Sequence, residues 1–161
     1  MSDGTHELGA VETAYLALGS NLGDRAAYLA GARAGLDAAP ATRVAAASAV
    51  EETAPLGPPG QGAYLNQMLR VETGLEPEAL LDVALEIERA AGRTRDPAQR
   101  WGARTLDVDL VLFGARRVET ARLRVPHPEL PRRDFWQREL AELGVDWRVA
   151  FDAAVGAGAA A

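Results

Sequence analysis

The chain of 161 residues contains no cysteine, no lysine and only two histidines, and no apolar run approaches the ~20 residues of a membrane span. Absence of cysteine excludes disulfides, thiolate nucleophiles and Cys-type zinc sites. Absence of lysine excludes a P-loop, which needs that side chain at the β/γ-phosphates, and any lysine Schiff base. Two histidines are too few for a multi-histidine metal centre. All 17 cationic side chains are therefore arginine, so phosphate must be held by guanidinium forks. A net charge of −6 argues against a general nucleic-acid binder. The N-terminus has no basic region followed by an apolar stretch, so it does not read as a signal peptide, and a cytoplasmic location is expected. The length and 48% hydrophobic content fit one domain, expected over 12–152 between flexible tails at 1–11 and 153–161. No apolar stripe demands a dimer, so a monomer is the default.

What is present is concentrated in one block, Arg100-Trp101-Gly102-Ala103-Arg104-Thr105-Leu106-Asp107-Val108-Asp109-Leu110-Val111-Leu112-Phe113. Side chains of a strand alternate between faces, and each residue rises about 3.3 Å. Asp107 and Asp109 then point the same way, roughly 6.6 Å apart at the backbone. Leu106, Val108, Leu110 and Leu112 are expected on the opposite face, in a core. Two carboxylates at that spacing repel by about 2.5 kcal/mol at an effective dielectric of 20. One bound divalent cation, or a pair, turns that cost into attraction. Arginines just before the carboxylates point to a polyphosphate bound with its metals. The competing reading is a solvated strand face.

The remaining chain reads as alternating elements. Thr13–Leu18 is a buried strand, and Asp24 caps a helix to about Ala38 whose face is Leu29, Ala32 and Leu36. Arg43–Ala54 reads as a second strand, Pro55–Gly62 as a loop, and Tyr64–Thr73 as a third strand antiparallel to the second. Pro77 opens a helix ending near Ala91, with Leu80, Leu81, Ala84, Ile87 and Ala91 inward and Gly92 as its stop. The loop 93–104 leads into the Asp-x-Asp strand, then come a small hairpin over Gly114–Arg124 and a helix near Arg132–Leu143. The end of the chain is low-complexity Ala and Gly. This order predicts an α+β, ferredoxin-like β-α-β-β-α-β sandwich with a C-terminal hairpin and helix appended.

Several further motifs occur in order: Gly19-Ser20-Asn21, Thr53-x-Pro55-Leu56-Gly57, Tyr64-Leu65-Asn66, Gly92-Arg93-x-Arg95, Val125-Pro126-His127 and Arg133-x-Phe135. With the Arg-Trp-Gly to Asp-x-Asp block, the chain from about Ala14 to Leu143 resembles the 6-hydroxymethyl-7,8-dihydropterin pyrophosphokinases of folate biosynthesis. That resemblance implies transfer of the terminal pyrophosphoryl group of ATP to the pterin hydroxymethyl group, leaving AMP, with two Mg²⁺ ions. It implies Asp107 and Asp109 as ligands of both metals, and Arg93 and Arg104 as stabilisers of the transferring charge. Arg95 and Arg100 are implied to bind and close over ATP, with Glu88, Trp101, Arg122, His127 and Arg133 around the nucleotide. For the pterin it implies Tyr64 and Phe135 stacking on the ring, Asn66 pairing with its polar edge, and Thr53, Ala54, Pro55, Leu56 and Gly57 lining the pocket. Phosphoryl-type transfer needs positioning and charge stabilisation more than covalent chemistry, and these residue types supply both.

The sequence departs from the family pattern at several points. Ala54 and Ala103 stand where prolines are usual, Leu85 where a polar nucleotide contact often sits, and Pro128 where an aromatic is frequent. The usual Pro-Leu segment after Phe135 reads Gln137-Arg138-Glu139-Leu140, and the loop 95–100 is about one residue longer than the family form. These bear on affinity and loop closure and leave the carboxylates untouched. Two other readings stay open here: a metal-dependent nucleotide-sugar transferase, and a ferredoxin-like module that binds a ligand without chemistry.

Overall fold

Strand β1 (Glu12–Ser20) lies inside an antiparallel sheet, between β4 (Tyr64–Thr73) and β5 (Asp107–Phe113). The computed structural model describes residues 10–55, 62–92 and 105–159. Two short strands, β2 (Thr42–Ala47) and β3 (Glu51–Thr53), share the far side of β4, giving the order β2–β4–β1–β5. Helix α1 (Arg25–Asp37) connects β1 to β2, and α2 (Pro77–Ala90) follows β4. Beyond β5 come a hairpin of β6 (Val118–Glu119) with β7 (Arg124–Val125), a 3₁₀ turn at Leu130–Arg132, and helices α3 (Asp134–Glu142) and α4 (Trp147–Ala159).

Local chemistry accounts for the first two helices. The Asp24 side chain accepts from the Ala27 amide at 3.1 Å, satisfying one of the free donors of the first turn of α1. Leu29, Ala32 and Leu36 are its buried face, as their spacing predicts. Pro77 sits in the first turn of α2, and Glu78 and Arg89 complement its two ends. Both helices pack on one face of the sheet, against Leu16, Leu18, Leu69, Val71, Leu106, Val108 and Leu110.

The opposite face carries a second cluster of Ala17, Met68, Val111, Leu112, Leu130, Trp136 and Leu140, with Phe135, Trp147 and Phe151 packed on it. Thus α3 and α4 cover the face that α1 and α2 leave open. The fold is α+β with helices on both sides of an antiparallel sheet.

Three expectations need correction. Leu112 does not share a face with Leu106: pairing shifts between Leu110 and Leu112 along β1, a bulge that reverses the alternation and sends Leu112 into the second cluster while Phe113 joins the first. The expected strand 43–54 is two strands. At the break, the Ser48 hydroxyl accepts the Met68 amide at 2.9 Å while the Gln67 amide donates to the Ser48 carbonyl at 2.7 Å. The bond from the Ser48 amide to the Met68 carbonyl, at 2.9 Å, keeps the backbone pairing there, and side-chain bonds supplement it. Finally, residues 153–159, assigned by composition to a flexible tail, belong to helix α4, where Ala154 is fully buried.

Candidate active site

The register across the sheet sets the site. Glu51 on β3 faces Asn66 on β4, Asn66 faces Gly19 on β1, and Gly19 faces Asp107 on β5. Directly opposed residues of antiparallel strands project to the same face. One row up, Met68 faces Ala17 and Ala17 faces Asp109. Met68 and Ala17 belong to the second cluster, so both aspartates and Asn66 project towards the α3 side. Neighbouring strands are about 4.8 Å apart, which puts Asn66 and Asp107 roughly 10 Å apart at the backbone.

Strand β5 is the sheet edge beyond β1, and two of its outward backbone groups are taken by Glu88 and His127. The Glu88 carboxylate, only 4% exposed, accepts the Val108 amide at 2.8 Å. This bond falls on the residue between the two aspartates. At the bulge, the Val111 carbonyl accepts the His127 amide at 2.9 Å. A cavity of about 330 Å³ opens along this edge, lined by Asp109, Leu81, Arg122, Leu123, His127 and Pro128 among others. Asp109, Arg122 and His127 are therefore brought together at one cavity.

Their electrostatics differ. Burial, with a further push from the Arg133 guanidinium, lowers His127 from 6.5 to about 4, so the imidazole is neutral at physiological pH. Its Nδ1 accepts the Glu129 amide at 3.1 Å, which places the proton on Nε2 as a donor. The ring edge meets Trp136 at 4.9 Å between centroids, and Arg133 lies 4.4 Å over that indole. Arg122 is half exposed and ion-paired with Asp82 and Glu78 on α2. These pairs hold its guanidinium above its ordinary value, with Asp82 the main cause.

A polar recess lies at the other end of the row. Asn66 is 6% exposed and donates to the Thr53 hydroxyl at 2.6 Å, while Thr53 faces Tyr64 in register. A Cβ on Gly19 would stand 3.3 Å from Asn66 Oδ1 and 3.4 Å from the Tyr64 ring, so glycine there admits both side chains. Asn21 donates to the Gly62 carbonyl at 3.3 Å, and Arg25 to that of Ala63 at 2.8 Å, tying the loop before β4 to the end of β1 and the start of α1. Phe135 opens α3 on the same side of the sheet. Ala54 and Pro55 follow β3. Arg93, Arg95, Arg100, Trp101, Arg104, Leu56 and Gly57 lie outside the described residues.

Two residues escaped the motif reading. Glu139, on the inner face of α3 beside Trp136 and Leu140, is 2% exposed, and Glu51 lies in the Asn66 row. A carboxylate spaced like a core residue was the available signal.

Among the described residues, no group of three or more His, Cys, Asp or Glu could hold a metal ion. Two hard carboxylate oxygen donors nevertheless suit Mg²⁺, which is commonly bound by one or two carboxylates together with substrate phosphates. The donor set fits.

A carboxylate pair on an exposed strand edge, beside a recess of amide, hydroxyl and aromatic groups, is the layout of a group-transfer enzyme of the α+β class. The chain belongs to the 7,8-dihydro-6-hydroxymethylpterin-pyrophosphokinase family, whose model matches residues 15–145. It is 44% identical over 130 residues to the 2-amino-4-hydroxy-6-hydroxymethyldihydropteridine pyrophosphokinase of Bacillus subtilis, covering 81% of this chain and 77% of that one. The protein of the same name from Methylorubrum extorquens is 44% identical over 133 residues, covering 83% of each chain. The one from Pseudomonas aeruginosa is 39% identical over 139 residues, covering 86% and 85%.

Proposed function

We propose that this protein transfers the terminal pyrophosphoryl group of ATP to the hydroxymethyl group of 6-hydroxymethyl-7,8-dihydropterin, releasing AMP, as a step of folate biosynthesis. The observation that carries this reading is the row Asn66–Gly19–Asp107. A group suited to the polar edge of a pterin and a group suited to a metal-bound phosphate project from one sheet face, two strands apart. That separation accommodates a flat bicyclic ring with its hydroxymethyl arm directed at β5.

In this reading Asp107 and Asp109 hold two Mg²⁺ ions. Metal bound there would neutralise polyphosphate charge as the pyrophosphoryl group moves. Glu88 fixes the strand that carries the two carboxylates. His127, as a neutral Nε2–H donor, offers a hydrogen bond to a phosphate oxygen at any physiological pH. Arg122 and Arg133 add cationic forks around the nucleotide, and Arg95, Arg100 and Trp101 close over it. Arg93 and Arg104 meet the charge that develops on the transferring group. Asn66 and Thr53 pair with the pterin edge, Ala54, Pro55, Leu56 and Gly57 line its pocket, and Tyr64 and Phe135 stack on its faces. These groups position and exclude water, which is most of what this reaction needs.

We further read the order β2–β4–β1–β5, with every neighbour antiparallel, as a ferredoxin-like arrangement carrying α3 and α4 on its second face. The working form is taken as a monomer in the cytoplasm, where ATP is available. The test is product analysis with ATP, Mg²⁺ and the dihydropterin alcohol. Pyrophosphoryl transfer gives AMP in amounts matching the pterin diphosphate. ADP would indicate simple phosphoryl transfer, and no nucleotide turnover a binding module; either result overturns the proposal.

A further inference from the structure

Helix α3 and strand β3 supply opposite parts of the pterin recess, and two carboxyl groups meet between them. Phe135 and Glu139 are one turn apart on the inner face of α3, while Glu51 and Thr53 project from the same side of β3. Glu139 is 2% exposed, and both of its carboxyl oxygens are buried without a hydrogen-bond partner. Glu51 Oε1 is likewise buried and unpartnered, and its other oxygen lies 3.5 Å from Arg138. Two ionised carboxylates in this position would each leave unsatisfied acceptors and would repel. One proton removes the repulsion and gives Glu51 Oε1 a partner, because a protonated carboxyl becomes a donor to its neighbour.

We propose that Glu139 and Glu51 share one proton, Glu139 donating to Glu51 Oε1, and that this bond fastens α3, with Phe135, to β3, with Thr53, so that the shape of the pterin recess depends on a proton held beneath it. The electrostatics agree in direction. Burial first, then the Glu51 carboxyl, pushes Glu139 from 4.5 up to about 9. The charged groups facing the pair are few. Arg138 bridges to both Glu51 and Asp134 from the outer side, and opposes the shift. Glu142 reinforces it, and its own carboxylate accepts the Ala49 amide at 2.9 Å as a second tie between α3 and the segment leading into β3. From β4, Asn66 and Met68 on this face bring no charge, and Arg70 beyond them donates to the Leu143 carbonyl past the end of α3 and to the Tyr15 hydroxyl. Glu52, next to Glu51, points to the other face and pairs with Arg25.

The pocket consequence rests on the proposed function; proton sharing does not. A carboxyl raised in the fold keeps its proton between 4.5 and about 9, whereas the unfolded chain has lost it. Stability from this pair is therefore full below 4.5 and is lost as pH rises towards 9. The closing experiment compares the wild-type protein with Glu139→Gln, whose amide still donates to Glu51 but does not titrate, and with Glu51→Gln should the first fail to fold. The melting temperature of the wild type should fall relative to the variant as pH rises from 6 to about 9. Superimposable profiles would overturn proton sharing, and this readout needs no ligand. The dissociation constant for the dihydropterin alcohol should weaken about tenfold between roughly pH 8 and 10 in the wild type, following the protonated fraction, and by less than about twofold in the variant. ATP binding with Mg²⁺ should follow one pH profile in both proteins. Melting profiles that differ while pterin profiles coincide overturn the link to the recess. Failure of the wild type to bind the pterin at pH 7 would instead sink the assignment of substrate, leaving the melting profiles to decide the shared proton.

Discussion

Glu88→Ala probes the anchor of β5, the strand proposed to carry the metal-binding aspartates. The resemblance alone assigns Glu88 to the nucleotide surroundings, whereas its buried carboxylate accepts the Val108 amide between Asp107 and Asp109. The two roles make different predictions. Truncation removes a charged acceptor from a backbone donor on a sheet edge, a hydrogen bond of about 1.5–3 kcal/mol. Relief from burying the carboxylate offsets part of this, and the vacated space adds a little, so a net loss of about 2 kcal/mol is expected. A domain of this size usually has 5–15 kcal/mol to lose, so the variant folds and can be assayed. Urea denaturation should show a lower midpoint at unchanged slope, and turnover at saturating substrate should drop at least about tenfold as the aspartates loosen. Glu88→Gln keeps an oxygen acceptor and should lose only about 1 kcal/mol. A Glu88→Ala protein within about 0.5 kcal/mol of wild type, with only ATP affinity reduced, would refute the anchoring role.

Asp109→Ala should lower turnover by roughly a thousandfold or more, since a metal clamp contributes several kcal/mol at the transition state, while pterin binding by titration calorimetry stays close to wild type. Asn66→Ala should do the reverse, weakening pterin binding by about 1–3 kcal/mol with ATP binding intact. His127, lowered to about 4, stays neutral in the fold while the unfolded chain protonates below 6.5. Its contribution is thus present above 6.5 and lost as pH falls to 4, a cost of about 1–3 kcal/mol that a His127→Gln variant should lack in melts across that range. Phe151→Ala, which uncovers part of the second cluster, should cost about 2 kcal/mol in urea denaturation and leave both ligand affinities unchanged.

Elements whose signals are local were legible in the sequence. The Asp24 cap, the 3–4 spacing of Leu29, Ala32 and Leu36, and Pro77 at a helix start each act within one or two turns, and each is found where its pattern puts it. Strand β4 spans Tyr64–Thr73 as expected. What escaped is set across the chain. The bulge in β5 is a fact of its pairing with β1, so strict alternation misplaces Leu112. At the break between β2 and β3 the Ser48 hydroxyl accepts the Met68 amide and the Ser48 carbonyl accepts the Gln67 side chain, contacts made across strands. Helix α4 is rich in Ala and Gly and has little amphipathic signal; Phe151 and the buried Ala154 mark it only once the second face of the sheet is seen to need a cover. At the candidate site, the resemblance singled out Asp109, Arg122 and His127, and these three line one cavity. Glu51 and Glu139 could not be paired, because nothing in sequence relates positions 88 residues apart.

The placement of the aspartates on an edge strand has a physical logic. An exposed edge offers free backbone groups and invites pairing with another chain. Here Glu88 takes the Val108 amide between the aspartates, and the chain at His127 takes the Val111 carbonyl three residues further on. The contacts that close the edge are therefore the contacts that orient the site, so on this side activity and stability should fall together. The side proposed to take the pterin is built differently. Tyr64, Asn66 and Thr53 rest on interior pairing between β3, β4 and β1, which backbone hydrogen bonds maintain whatever the side chains are. Substitutions there should separate binding from stability. That asymmetry makes β4 the better place to alter substrate choice, and the surroundings of β5 the place where most changes cost the fold as well.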